Sequence, residues 1–125
     1  MTIQALVVDD DQNVLNTFVD LLDICKINVI GTAKNGKEAI EQFKKSTPDL
    51  VFLDIMMPEF DGRYALREIR NIDQDIPVVM ISGGDDDAID KLLEFKPSAV
   101  LHKPFRINTL LDLLKNELKL ELDSN

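Results

Sequence analysis

Five short apolar runs punctuate the chain, and a stretch with helical periodicity follows each of them. The runs are IQALVV (Ile3–Val8), NVIGTA (Asn28–Ala33), LVFL (Leu50–Leu53), IPVVMIS (Ile76–Ser82) and SAVLH (Ser98–His102). Their length and bounding polar clusters predict strands. LVFL has no polar alternation, which predicts burial on both faces. Pro77 stands near the start of the fourth run, where a strand tolerates it. After the first run, Val14, Leu15, Phe18, Leu21, Leu22 and Cys25 recur at helical spacing. Ala39, Ile40 and Phe43 mark a second helix, capped by Asn35 with Glu38 and stopped by Pro48–Asp49. Asp61 caps a third, carrying Ala65, Leu66 and Ile69. Ile89, Leu92 and Leu93 predict a shorter fourth, and Ile107, Leu110, Leu111, Leu114 and Leu118 a fifth. Strict alternation of this kind predicts an α/β fold: a doubly wound five-stranded parallel sheet with five helices on its two faces. At 125 residues, with no linker, repeat or composition shift, the chain reads as a single domain spanning 1–125.

Composition narrows the function classes. Apolar content of 45% supports a real core, and 30% charged residues with a net charge of −9 disfavour direct nucleic-acid binding. Lys and Arg occur singly or in pairs, as at Lys44–Lys45, and build no basic patch. Cys25 is the single cysteine; on an apolar helical face it reads as a buried, inert thiol, and it excludes an internal disulfide. The N-terminal MTIQALVV lacks the features of a signal peptide, and nothing approaches the roughly 20 apolar residues of a membrane helix. The expectation is a cytoplasmic protein without membrane insertion.

Ligands of open α/β sheets bind beyond the carboxyl ends of the strands. Asp9, Asp10 and Asp11 follow the first strand, Asp54 ends the third, Ser82–Gly83–Gly84 end the fourth, and Lys103–Pro104 follow the fifth. Carboxylates from two strands gathered in one cleft repel one another unless a cation compensates them. The donors are hard oxygens with no His or Cys cluster, which favours Mg2+ over zinc, with Mn2+ able to substitute. A carboxylate beside such a cation, a lysine and a hydroxyl can accept a phosphoryl group and become an acyl phosphate. Asp54 suits that role because it ends the central strand.

These residues resemble the receiver domain of two-component response regulators over about Ile3 to Leu118. The resemblance rests on Asp9–Asp10 after strand one, LDIMMPEFDG around Asp54, Ser82 after strand four, and KPF at Lys103–Phe105. It implies the flavodoxin-like strand order 2-1-3-4-5. It implies Asp54 as phosphoacceptor, with Asp10 and Asp54 as carboxylate ligands of Mg2+, Asp9 acting mostly through a water, and the Met56 backbone carbonyl as a further ligand. Ser82 matches the hydroxyl that moves toward the phosphoryl group, Lys103 the lysine that pairs with it, and Pro104 a cis-proline. The implied donor is the phosphohistidine of a sensor histidine kinase or phosphotransfer protein, with small acyl phosphates as substitutes. A downstream protein partner, or an output domain missing from this chain, would receive the signal.

The chain departs from that pattern at Val100, where many such domains carry a Tyr or Phe that moves with the hydroxyl. FKPSAV also differs from the usual Gly-Ala, and Pro97 is expected to stop the fourth helix early. Several segments have plainer readings. Asp11 caps the first helix, and the acids of GGDDD (Gly83–Asp87) cap the fourth. Gly84 leaves the site open to water. His102 is read as a strand-end residue directed away from the cluster. GTAKNGKE (Gly31–Glu38) nearly spells a phosphate-binding loop, but Glu38 replaces its Ser or Thr and repels phosphate. Met56 and Met57 read as loop and core packing. Leu118, Leu120 and Leu122 extend past the expected domain edge as a candidate interaction stripe.

The leading expectation is a phosphorylation-controlled switch that catalyses its own modification and is no enzyme for an external substrate. The alternative is a constitutive interaction module with a silent or rewired switch, motivated by Val100. A phosphohydrolase is disfavoured because Met56 stands where such enzymes carry a second acid.

Overall fold

A computed structural model describes residues 2–83 and 93–120. The elements are β1 (Ile3–Val8), α1 (Gln12–Ile24), β2 (Ile27–Ala33), α2 (Gly36–Ser46), β3 (Leu50–Asp54), α3 (Gly62–Ile72) and β4 (Val78–Ser82). A 3-10 turn (Leu93–Phe95), β5 (Ala99–His102), α4 (Ile107–Asp112) and a π-helical turn (Leu113–Glu117) complete them. The sheet is parallel throughout, in the order β2-β1-β3-β4-β5. That is the doubly wound, flavodoxin-like arrangement. Four α-helices occur among the described residues, against five expected. Ile89 and Leu92 of the expected fourth helix, with Gly84 and the GGDDD acids Asp85–Asp87, lie outside the described residues. After that gap the 3-10 turn ends at Phe95, Lys96 turns left-handed at φ 57°, and Pro97 leads into β5.

Strand periodicity sorts the core into two layers. Leu6, Val8, Val51, Leu53, Val78 and Met80 face α2 and α3, packing with Ala39, Phe43, Ala65, Leu66 and Ile69. Ala5, Val7, Phe52, Val79 and Ile81 face α1 and α4, packing with Leu15, Phe18, Leu22, Leu110 and Leu114. Every residue of β3 and β4 is buried, as the unbroken apolar runs predict. The expected caps are present. The Asp11 side chain accepts from the Asn13 and Val14 amides, Asn35 from Glu38, and Asp61 from Tyr64. Each side chain satisfies helix donors that would otherwise lack a partner. Cys25 closes α1 as a buried thiol, and burial raises its pKa.

The C-terminal region corrects one expectation. Leu113, absent from the predicted helical stripe, is buried with Leu110 and Leu114. The chain there widens into a π turn, with the Leu118 amide donating to the Leu113 carbonyl at 3.0 Å. Leu118 and Leu120 are partly buried and pack against the α1/α4 layer, so they do not stand as a free interaction stripe. Leu122 lies outside the described residues.

Candidate acidic site at the carboxyl edge of the sheet

Parallel pairing brings the carboxyl ends of β1, β3, β4 and β5 to one edge, so residues distant in sequence meet there. Asp9 follows β1, Asp54 is the last residue of β3, Ser82 the last of β4, and Lys103 follows β5. Asp9, Asp54 and Ser82 are the buried polar residues among those described, at 4%, 6% and 2% exposure. Asp10 is exposed at the rim. Carboxylate oxygens of Asp9, Asp10 and Asp54 lie within 4.8 Å of one another. Lys103 Nζ donates to Asp9 Oδ2 at 3.1 Å and stands 3.6 Å from Asp54 Oδ2.

Backbone bonds fix these groups. The Asp9 amide donates to the Ala33 carbonyl at 3.0 Å, tying the end of β1 to β2. Asp9 Oδ1 accepts from the Asp11 amide at 2.9 Å, and Asp54 Oδ1 faces the Met56 amide at 3.4 Å. The Lys103 amide donates to the Ser82 carbonyl at 2.8 Å, so the lysine is seated on the end of β4.

The electrostatics follow from burial and crowding. Desolvation and the Asp9 charge push the Asp54 pKa up to about 6, against the opposing pull of Lys103 and the Met56 amide. Burial alone would lower the Lys103 pKa; its hydrogen bond to Asp9 and the charges of Asp54 and Asp9 outweigh this and raise it. Three carboxylates against one ammonium leave an excess of negative charge. An all-oxygen donor set with that excess fits a hard divalent cation such as Mg2+.

The other predicted positions have distinct surroundings. The Met56 side chain is 67% exposed, whereas Met57 is buried in the α2/α3 layer. The Lys103–Pro104 peptide is cis. Val100 is partly buried against the α2/α3 layer, as are Tyr64 and Phe95. His102 is exposed. Glu38 accepts from Asn35 Nδ2 at 3.1 Å, which gives it a capping role where a phosphate loop would need a hydroxyl.

Two glycines that sequence reasoning passed over frame the β3–α3 loop. A Cβ on Gly62 would come 2.4 Å from the Asp54 carbonyl oxygen, so only glycine fits directly behind the acid. A Cβ on Gly36 would meet the Phe60 and Asp61 carbonyl oxygens at 2.9 Å. The Asp-Gly pair at Asp61–Gly62 and the Asn-Gly pair at Asn35–Gly36 were the local signals, and neither tells of the contact with the loop.

The family described as "Response regulator receiver domain" matches residues 5–115. Chemotaxis protein CheY of Bacillus subtilis (strain 168) is 33% identical over 119 residues, 94% of this chain and 99% of that protein. A protein-glutamate methylesterase/protein-glutamine glutaminase of Archaeoglobus fulgidus is 44% identical over 91 residues, 73% of this chain but 26% of that protein. Among solved structures, the CheX-CheY-BeF3-Mg+2 complex from Borrelia burgdorferi contains a chain with TM-score 0.86 and 27% identity, covering 95% of this chain and 90% of that one.

Proposed function

The chain belongs to the response regulator receiver domain family, and on that premise we propose that it is a Mg2+-dependent switch phosphorylated on Asp54. The observation that carries the reading is the convergence of Asp9, Asp10 and Asp54 within 4.8 Å, with Lys103 against two of them. The Asp9, Asp10 and Asp54 carboxylates and the Met56 carbonyl would hold the cation. When bound, Mg2+ supplies neutralisation of charge on the transferring phosphoryl oxygens.

The protein's own groups do the rest. Lys103 pulls Asp54 toward the anionic form that attacks phosphorus, against the burial and the Asp9 charge that raise its pKa. An Asp54 oxygen forms the new O–P bond as the P–N bond of the donor phosphohistidine breaks, and the imidazole leaves with the electron pair. Burial of Asp9, Asp54 and Ser82 limits competing water. Ser82 then donates its hydroxyl to a phosphoryl oxygen and Lys103 pairs with another, which shifts the face around β5 and its neighbouring turns. The donor is a sensor histidine kinase or phosphotransfer protein. An apolar groove of 410 Å³ beside Lys103, lined by Val14, Phe18, Leu21, Pro104 and Phe105, offers it a seat. The shifted face is read by a protein partner or an attached output domain, in the cytoplasm. The switch modifies and resets itself.

Val100 supports a second reading, a constitutive interaction module, because a Val in the α2/α3 layer cannot perform the ring movement of an aromatic. One experiment separates the two. Intact mass is recorded after incubation with Mg2+ and acetyl phosphate, beside Asp54→Asn and a chelator control. A single phosphoryl adduct lost in both controls supports the switch. No adduct with either acetyl phosphate or a phosphohistidine donor leaves the constitutive module.

A further inference from the structure

The β3–α3 loop carries Met56 and is closed at its base by the Gly62 amide, which donates to the Ile55 carbonyl at 3.1 Å. Ile55 and Met57 anchor its near limb in the core. Its far limb turns at Glu59, which is left-handed at φ 64°, and there the loop meets α2: the Gly36 amide donates to the Phe60 carbonyl at 2.6 Å. The approach is close enough to exclude a side chain. A Cβ on Gly36 would lie 2.9 Å from Phe60 O, Asp61 O and Tyr64 Cδ1. Two of those atoms are backbone and cannot rotate aside, so the loop itself would have to move. Gly36 does not occupy the left-handed region, and alanine is the better helix former. The need for glycine at this position is therefore a need for contact with the loop.

We propose that Gly36 is a positioning residue for the cation site: it lets the start of α2 clamp Phe60 and so fixes the loop whose Met56 amide stands 3.4 Å from Asp54 Oδ1 and whose Met56 carbonyl is assigned to the cation under the proposed function. The proposal rests on the phosphoacceptor reading above. Pro58 and the left-handed Glu59 stiffen the segment between Phe60 and Met56, so displacement at one end is passed to the other. A cation held by that loop favours the clamped state, and reciprocally the clamp favours the cation.

The test titrates wild type, Gly36→Ala and Lys37→Ala with MgCl2 by calorimetry, with thermal unfolding of each recorded without metal. Lys37 is the exposed next residue on α2 and serves as the control. The expected result is a Kd for Mg2+ weakened on the order of tenfold in Gly36→Ala and unchanged in Lys37→Ala. A Gly36→Ala protein of lower thermal stability but unaltered Kd overturns the proposal, since the contact would then be structural only. Amide exchange of Gly36 in the unaltered chain decides the matter without any variant: exchange slowed by saturating Mg2+ supports the clamp, and exchange indifferent to bound Mg2+ overturns it. Failure of the wild type to bind Mg2+ is a separate outcome that overturns the switch itself.

Discussion

Lys103 and Asp9 lie 94 residues apart in sequence and share a 3.1 Å hydrogen bond, with Asp54 Oδ2 3.6 Å from the same ammonium. One cation thus ties the edges of β1, β3 and β5 together. It also competes with any metal for the same carboxylates.

Replacing it separates two roles. Lys103→Met should tighten Mg2+ binding by about threefold to tenfold, because a positive charge beside the cation is removed. The same variant should be phosphorylated about a hundredfold more slowly, because the phosphoryl oxygens lose a donor. Calorimetry and a phosphorylation time course check the opposite signs.

Asp54 carries a pKa raised to about 6 by burial and by Asp9. Protonation stabilises such a group in the folded state. Its favourable contribution is complete below the ordinary carboxylate pKa and is lost as pH rises through about 6. Asp54→Asn should therefore stabilise the metal-free protein at pH 7 by about 2 kcal/mol, an advantage that shrinks between pH 6 and pH 4. Denaturant unfolding in chelator across that range checks it; an advantage that grows on acidification would contradict the electrostatics described here.

Asp11 stands next to the acidic pair, yet its side chain caps α1 through the Asn13 amide at 2.9 Å. Asp11→Ala should cost about 1 kcal/mol of stability. Its Mg2+ affinity and phosphorylation should match wild type, since its contact to Asp9 is made by the backbone amide.

The Cys25 thiol is buried, with its pKa raised by burial. A colorimetric disulfide reagent at pH 8 should react slowly with the folded protein and at once with the unfolded chain. Rapid reaction in the folded state would show that the end of α1 opens readily.

Much of this architecture was readable from local chemistry. Ile3–Val8 is a strand to the residue, and Asp11, Asn35 and Asp61 cap the helices that follow them, because strand runs and caps are determined by neighbours in sequence. The residues of the acidic site could be listed because each sits at a strand end. What escaped was set by contacts between distant segments. Leu118 and Leu120 look like a free stripe until the π turn at Leu113–Glu117 brings them onto the core. Gly36 looks like an ordinary residue after a helix cap until the sheet brings α2 against Phe60.

The central claim is that Asp54 accepts the phosphoryl group, and the chemistry of an acyl phosphate allows the acceptor to be read directly. Protein treated with Mg2+ and acetyl phosphate is reduced with borohydride, which converts a phosphorylated aspartate to homoserine, and the peptides are sequenced by mass spectrometry. Homoserine at position 54 alone is the expected result. Homoserine at Asp9 or Asp10 in place of Asp54 would contradict the account.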